Sequence, residues 1–338
     1  MRVLLYFEKE KALRQSGIGR ALRHQKMALQ SAGVDYTLNK SDDYDIVHIN
    51  TVFSKSYRLM RKAQKKGKKV IVHGHSTMED FRHSFRFWQV IAPFFNHMLL
   101  KMYRHADAII TPTLYSKHLI ENYRGVECPV YAVSNGINLS EYEYEDIRIS
   151  KYKEYFNISN EKVVIGVGLF FDRKGIRDFF EIAKSMPDVK FIWFGNLNKL
   201  LVPHRVNKAI RKRPKNVIMP GYIDGDIIKG AFLGADALLF PSYEETEGIV
   251  VLEGLASKIP VIVRDIGVYD PWLKHKENVL KGSSNEEFKS LIEYVFTHDM
   301  SKIIDNGYKT VEERNIENVG LELKKIYERV SKKPTVIE

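Results

Sequence analysis

The sequence predicts an α/β protein made of two doubly wound domains, each built around a parallel sheet. Three observations predict it. Short apolar runs alternate with amphipathic stretches along the whole chain, as in strand–helix units whose parallel strands are buried on both faces. The runs fall into two series, separated by residues 139–157, where no apolar face can be traced. At 338 residues the chain is too long for one ordinary domain and suits two of similar size.

In the first series the strands are expected at 3–7, 46–49, 70–72, 108–111 and 130–133, with helices at 19–32 and 55–66 between them. The opening residues reach Glu8-Lys9-Glu10 too soon for the apolar core of a secretion leader and read as a buried first strand. Lys65-Lys66-Gly67-Lys68-Lys69 closes a helix before the next strand. The polar stretch Leu139-Ser140-Glu141-Tyr142-Glu143-Tyr144-Glu145-Asp146 marks a boundary. A second series follows at 163–167, 190–194, 217–219, 237–240 and 261–263. The tail, 315–332, reads as a closing helix with apolar positions Val319, Leu321, Leu323, Ile326, Tyr327 and Val330. The expected division is therefore 1–148, 149–314 and a closing segment 315–338 that is free to cross back to the first domain.

Composition narrows the function classes. Hydrophobic residues at 44% supply two cores and exclude a disordered chain. The single cysteine, Cys128, excludes an internal disulfide and fits a reducing compartment. No run of 18 apolar residues occurs, so any membrane contact is expected to be peripheral. Residues 1–140 hold 22 Lys+Arg against 11 Asp+Glu, and residues 141–338 hold 31 of each (53 − 22 and 42 − 11), so the whole excess of +11 lies in the first part. Such a field attracts polyanions, whether nucleic acid or an anionic leaflet, although solubilising lysines would give the same count.

Five segments could carry chemistry. In 241–262, Pro241-Ser242-Tyr243-Glu244-Glu245-Thr246-Glu247-Gly248-Ile249 leaves an apolar strand and opens a helix near Gly248, whose first N–H groups and dipole suit a phosphate. Glu245 and Glu253 would bracket that seat, each able to accept hydrogen bonds from paired sugar hydroxyls. In Gly168-Leu169-Phe170-Phe171-Asp172-Arg173-Lys174-Gly175, the adjacent cations could neutralise a diphosphate leaving group. Gln15-Ser16-Gly17-Ile18-Gly19-Arg20 places glycines where a backbone could approach a ligand, or simply turns the chain. His73-Gly74-His75-Ser76-Thr77-Met78-Glu79-Asp80-Phe81-Arg82-His83 follows a strand end. Its paired histidines lack the convergent partners of a zinc site, and no metal is expected. Finally, 85–101 is dense in large apolar residues and flanked by Arg82, Arg86, Lys101 and Arg104. It is either a core helix or an interfacial one, with Pro93 starting or kinking it.

The Glu-x7-Glu spacing, with Gly three after the first Glu, a preceding Pro-Ser and a following Pro-Val-Ile, resembles the donor-binding signature of glycosyltransferase family 4. The resemblance covers nearly the whole chain. It implies the GT-B architecture, two Rossmann-like domains with parallel sheets facing across a cleft, and a retaining transfer from a UDP-sugar, glucose or galactose. By that resemblance His75, Arg173, Lys174 and Glu245 are the catalytic group. Gly17, Gly19, His73, Gly136, Tyr222, Ile223, Glu247, Gly248, Ile249 and Glu253 are donor-binding, with Glu253 on ribose and Glu245 on the hexose. Gly136 comes from the inter-domain Ser134-Asn135-Gly136 turn, and Tyr222 and Ile223 from the loop that packs on the base. Leu169 departs from the family, many members having arginine there.

The histidine segment resembles the glycolipid branch, the diacylglycerol glycosyltransferases. That places Glu79 and Asp80 at the acceptor. The apolar, cation-flanked segment, with the basic charge of the first part, suggests that Arg82, Arg86, Phe87, Trp88, Phe94 and Phe95 meet an anionic membrane surface. The expected product is an α-linked diglycosyl-diacylglycerol made from monoglucosyl-diacylglycerol, as in anchors for lipoteichoic acid. The expected setting is the inner face of the cell membrane, with no cofactor and no nucleic acid. A transferase for a polysaccharide or another soluble glycan is the rival within the family. A basic nucleic-acid-binding module is the rival outside it, and it leaves the Glu245…Glu253 region unexplained.

Overall fold

The computed structural model describes residues 1–14, 16–82 and 84–332. Gln15 and His83, quoted in the motifs above, lie outside the described residues. The chain divides into two compact units. The first takes 1–79, 89–136 and the C-terminal segment from 314; the second takes 80–88 and 137–313.

The first unit holds six parallel strands: β1 Arg2–Tyr6, β2 Asp35–Thr37, β3 Ile46–Ile49, β4 Lys69–His73, β5 Ala108–Thr111 and β6 Val130–Ala132. Their order is β2-β1-β3-β4-β5-β6. Alternate side chains leave opposite faces of a strand, and each face has its own core. Val3, Ile46, Ile71 and Ile110 pack with Ala28 and Leu29 of the helix Gly17–Ser31 and with Val319, Leu323, Ile326 and Tyr327 of the helix Ile316–Ser331. Leu4, Val47, Val70, Val72 and Ile109 pack with Met60, Ala63, Leu99, Met102 and Tyr103 on the other face. The closing helix thus belongs to the first unit, although it is the last element of the chain. Leu321, read as an apolar position of that helix, is 51% exposed. It falls off the stripe that 319, 323, 326 and 327 form at helical spacing.

The second unit repeats the plan with β7 Val163–Val167, β8 Lys190–Phe194, β9 Val217–Gly221, β10 Ala237–Phe240, β11 Val261–Arg264 and β12 Leu280–Gly282. All are parallel, in the order β12-β11-β10-β7-β8-β9. Phe179, Phe191 and Trp193 form the aromatic centre of its core, stacked edge to face at 5.1 to 5.3 Å. Two strands were not expected, β2 and β12. Each is a three-residue edge strand with polar residues, so neither gives a buried apolar run. Residues 139–157, read as a boundary, contain a 3-10 turn Leu139–Tyr142 and a helix Asp146–Tyr155 packed on the helix Asp226–Gly234.

The closing helix can cross Gly17–Ser31 closely because residue 320 has no side chain. A Cβ on Gly320 would stand 2.0 Å from the Ala28 carbonyl oxygen. Gly320→Val is expected to lower unfolding free energy by about 3 kcal/mol, the upper range for overpacking. Urea denaturation compared with Leu321→Val, at an exposed position of the same helix, is the measurement.

Candidate active site

In the second unit, the site is built where neighbouring strands β7 and β10 end. After β7 the chain makes a 3-10 turn, Asp172–Lys174, and after β10 it runs through 241–248 into the helix Ile249–Ala256, with Gly248 as N-cap. Only glycine fits at 175: its φ is +71°, and a Cβ would lie 2.3 Å from the Pro241 carbonyl oxygen. The two loops are joined by Tyr243 N–H donating to Arg173 O at 2.7 Å. Arg264, buried, holds the second loop by donating to Pro241 O at 3.0 Å and bridging Asp178 at 3.1 Å.

This juncture brings Arg173, Lys174 and Glu245 together. Lys174 Nζ donates to Glu245 Oε1. Arg173 lies 3.7 Å from the same oxygen, donates to Glu244 O at 2.7 Å and donates to Ser84 Oγ at 2.9 Å. Asp80, on the same segment as Ser84, lies 3.9 Å from the guanidinium. Burial works against the Glu245 carboxylate, but Lys174 and Arg173 outweigh it and hold the group below its ordinary range. Burial also lowers Lys174, and Glu245 only partly offsets this.

Glu247 and Glu253 are buried as well. Glu253 Oε1 accepts from the Tyr142 hydroxyl at 2.7 Å. The Tyr269 hydroxyl, also buried, stands where a Cβ of Gly248 would be 3.0 Å away and has no hydrogen-bond partner among the described residues. Tyr222, beyond β9, is 36% exposed, and Ile223 beside it is half-buried.

In the first unit, His73 ends β4 and stacks between His48 and His75, with ring centroids 5.2 and 3.8 Å away. A network orients the stack. Asn50 Nδ2 donates to Gln25 Oε1 at 3.0 Å, so Asn50 Oδ1 accepts from His75 Nε2 at 2.8 Å. The Gln25 amide nitrogen and the Tyr327 hydroxyl meet His48 Nδ1 at 2.9 and 2.7 Å. That nitrogen is therefore an acceptor, and His48 Nε2–H donates to His73 Nδ1 at 3.2 Å. His73 is left with a proton on Nε2, buried and without a partner among the described residues. Burial lowers all three imidazoles, His73 to about 3, so the stack is neutral.

Other residues named from the sequence have varied places. Gly17 is open, with nothing near a would-be Cβ, whereas Gly19 is pressed against the carbonyl of Leu13. Gly136 packs beside Ile316 and Val319, and its carbonyl accepts from His24 at 2.7 Å. Glu79 accepts from the Tyr123 hydroxyl at 2.5 Å within the first unit, while Asp80 counts with the second. Arg82 and Arg86 are exposed. Phe87 and Phe94 are 63% and 68% exposed. Trp88 and Phe95 are half-buried, and Phe95 packs on the first unit's core. Val90 and Ile91, not singled out in the sequence, are exposed on the helix Trp88–Arg104. Ser84, Tyr142, Arg264 and Tyr269 were also missed. Ser84, Tyr142 and Arg264 hold the site through hydrogen bonds and Tyr269 stands against Gly248, placements that no local pattern announces. Among the described residues no cluster of His, Cys, Asp and Glu suits a metal ion, and no helix is long and apolar enough to cross a membrane.

Two doubly wound units, the second closing a cation pair and buried glutamates beneath a helix N-terminus, define a glycosyltransferase of the two-domain class. Residues 14–141 match the pattern of Glycosyltransferase Family 4, and residues 149–310 that of Glycosyl transferases group 1. The chain belongs to glycosyltransferase family 4 and is a hexosyltransferase. It is 56% identical over 333 residues to a processive diacylglycerol alpha-glucosyltransferase of Acholeplasma laidlawii, covering 98% of this chain and 99% of that one. An alpha-galactosylglucosyldiacylglycerol synthase of Streptococcus pneumoniae is 25% identical over 87% of this chain and 80% of its own. Among solved structures, Anabaena Alr3699/HepE, in complex with UDP and glucose, shares the fold with a TM-score of 0.79 at 14% identity, covering 97% of this chain and 100% of that one.

Two outcomes are expected. Lys174→Met leaves Glu245 buried with its nearest cation gone and should cost about 3 kcal/mol in urea unfolding. The depressed histidines contribute stability that is complete above their unfolded pKa near 6.5 and is lost as pH falls toward the folded value. The stability advantage of wild type over His73→Asn should therefore shrink by about 2 kcal/mol between pH 7 and pH 5. An advantage independent of pH would mean that His73 keeps its ordinary pKa in the fold.

Proposed function

We propose that the protein transfers glucose from UDP-glucose, with retention of the α configuration, to diacylglycerol and then to monoglucosyl-diacylglycerol at an anionic membrane surface. The observation that carries the reading is the Arg173–Lys174–Glu245 cluster, with Glu245 buried and both cations mostly so, beside the N-terminus of Ile249–Ala256. Its chemistry suits a nucleoside diphosphate leaving from a hexose. The choice of glucose and of a diacylglycerol acceptor is supported by the name and identity of the Acholeplasma relative.

In this reading the carboxylates of Glu245 and Asp80 keep the two cations in place before the donor arrives. The bond from the anomeric carbon to the diphosphate breaks while a bond to the acceptor oxygen forms on the same face. The acceptor's proton passes to the leaving diphosphate. Arg173, Lys174 and the helix N-terminus stabilise the charge that develops there. Glu245 accepts from hexose hydroxyls and Glu253 from ribose, and the Tyr269 hydroxyl supplies a further polar contact. His73 offers its Nε2–H as a fixed donor beside His75. No resident cofactor or metal is part of the reading, since protein cations face the diphosphate.

Val90, Ile91 and Phe94 leave apolar surface on a helix that ends in Lys101 and Arg104, which suits a peripheral membrane contact.

The test measures glycolipid formation from UDP-glucose and UDP-galactose. Diacylglycerol or monoglucosyl-diacylglycerol is presented in phosphatidylglycerol-containing vesicles, beside a soluble glucoside. Glucosylation of both lipids is expected, with kcat falling on the order of 10²- to 10³-fold in Lys174→Ala, the range for removing one preorganised donor. Transfer to the soluble glucoside alone would overturn the acceptor assignment, and transfer from UDP-galactose alone would overturn the sugar.

A further inference from the structure

Residues 141–338 are neutral in total, yet residues 199–215 contain seven Lys+Arg and no Asp or Glu. The helix His204–Arg211 turns Val206 inward and leaves Arg205, Lys208, Arg211 and the following Lys212 exposed. At spacings of three and four these cations share one face. Arg205 pairs with Asp172 at 2.8 Å. Lys208, Arg211 and Lys212 form no ion pair among the described residues, so their charge is uncompensated at the surface.

Immediately before this helix, Leu200 and Leu201 are 75% and 44% exposed. Arg86 N–H donates to Leu201 O at 2.8 Å, which brings the exposed Phe87 to the same part of the second unit.

Cations alone would serve any polyanion. The helix Ser54–Lys65 shows that case: Lys55, Arg58 and Lys62 are exposed, but Met60 and Ala63 are buried and no large apolar side chain accompanies the charges outward. Around residue 200 the surface offers aliphatic tips and a cationic face together. A nucleic acid has no use for exposed leucines, whereas a bilayer interface takes leucine at the acyl boundary and lysine or arginine at anionic head groups.

We propose that 199–212 is a membrane-contact element of the second unit: Leu200 and Leu201 enter the acyl boundary, and Lys208, Arg211 and Lys212 bind anionic lipid head groups. This rests on the lipid-acceptor reading and adds to it a contact on the unit that holds the donor cluster.

The experiment measures binding of the full chain to phosphatidylcholine vesicles with and without phosphatidylglycerol, for wild type, Leu200→Ser/Leu201→Ser and Lys208→Gln/Arg211→Gln/Lys212→Gln. UDP-glucose affinity is measured alongside and should be unchanged, because none of these residues belongs to the donor cluster. The triple variant should lose about 100-fold in affinity for the anionic vesicles, and the double variant about tenfold for the same vesicles. Wild type and variants binding anionic vesicles alike would overturn the proposal and leave the acceptor reading intact. No vesicle binding by wild type would overturn both. An oligonucleotide that displaces the vesicles, with affinity insensitive to the leucine changes, would make nucleic acid the occupant instead.

Discussion

Lys174 and Glu245 are both withdrawn from water, and a buried charge is tolerable only beside its opposite. That requirement governs the second unit. It ties the turn after β7 to the loop after β10, strands that are neighbours in the sheet although some 70 residues apart in sequence. The rest of the arrangement keeps the two loops close enough for the pair to form. Gly175 lets the chain pass Pro241, Arg264 fixes the Pro241 carbonyl, and Ser84 with Asp80 steadies Arg173. A site held this way is organised before a substrate enters, which is what the proposed stabilisation of a leaving diphosphate requires.

The first unit meets a similar demand without charge. Three imidazoles are stacked where burial keeps them neutral, and their protons are assigned by a chain of hydrogen bonds through Gln25, Asn50 and Tyr327. The tyrosine comes from the closing helix, so the last element of the sequence takes part in orienting the end of β4. The close crossing at Gly320 is what puts it within reach.

Much of this was legible from residues 1 to 338 taken in order. Parallel strands buried on both faces must be written as short apolar runs, and most of the strands are. The edge strands β2 and β12 escaped because an edge needs few apolar residues. Arg173, Lys174, Glu245 and Glu253 could be named because a motif with fixed spacing surrounds them. Ser84, Arg264, Tyr142 and Tyr269 carry no such spacing, and Leu200 with its cationic helix was hidden inside a stretch whose charges cancel.

By itself the sequence determined the class of fold, the family and the kinds of side chain available for chemistry, since periodicity, glycine placement and motif spacing are properties of the chain. Tertiary structure decided which of those side chains meet. Segment 80–88 joined the second unit and the closing helix joined the first. Leu321, read as an apolar position of the closing helix, faces water, and Phe95, assigned to the membrane surface, packs on the first unit's core. The physical reason is the same in each case. Hydrophobicity and charge state what a residue would gain by burial or pairing, but only the packed chain determines which partner is close enough to provide it.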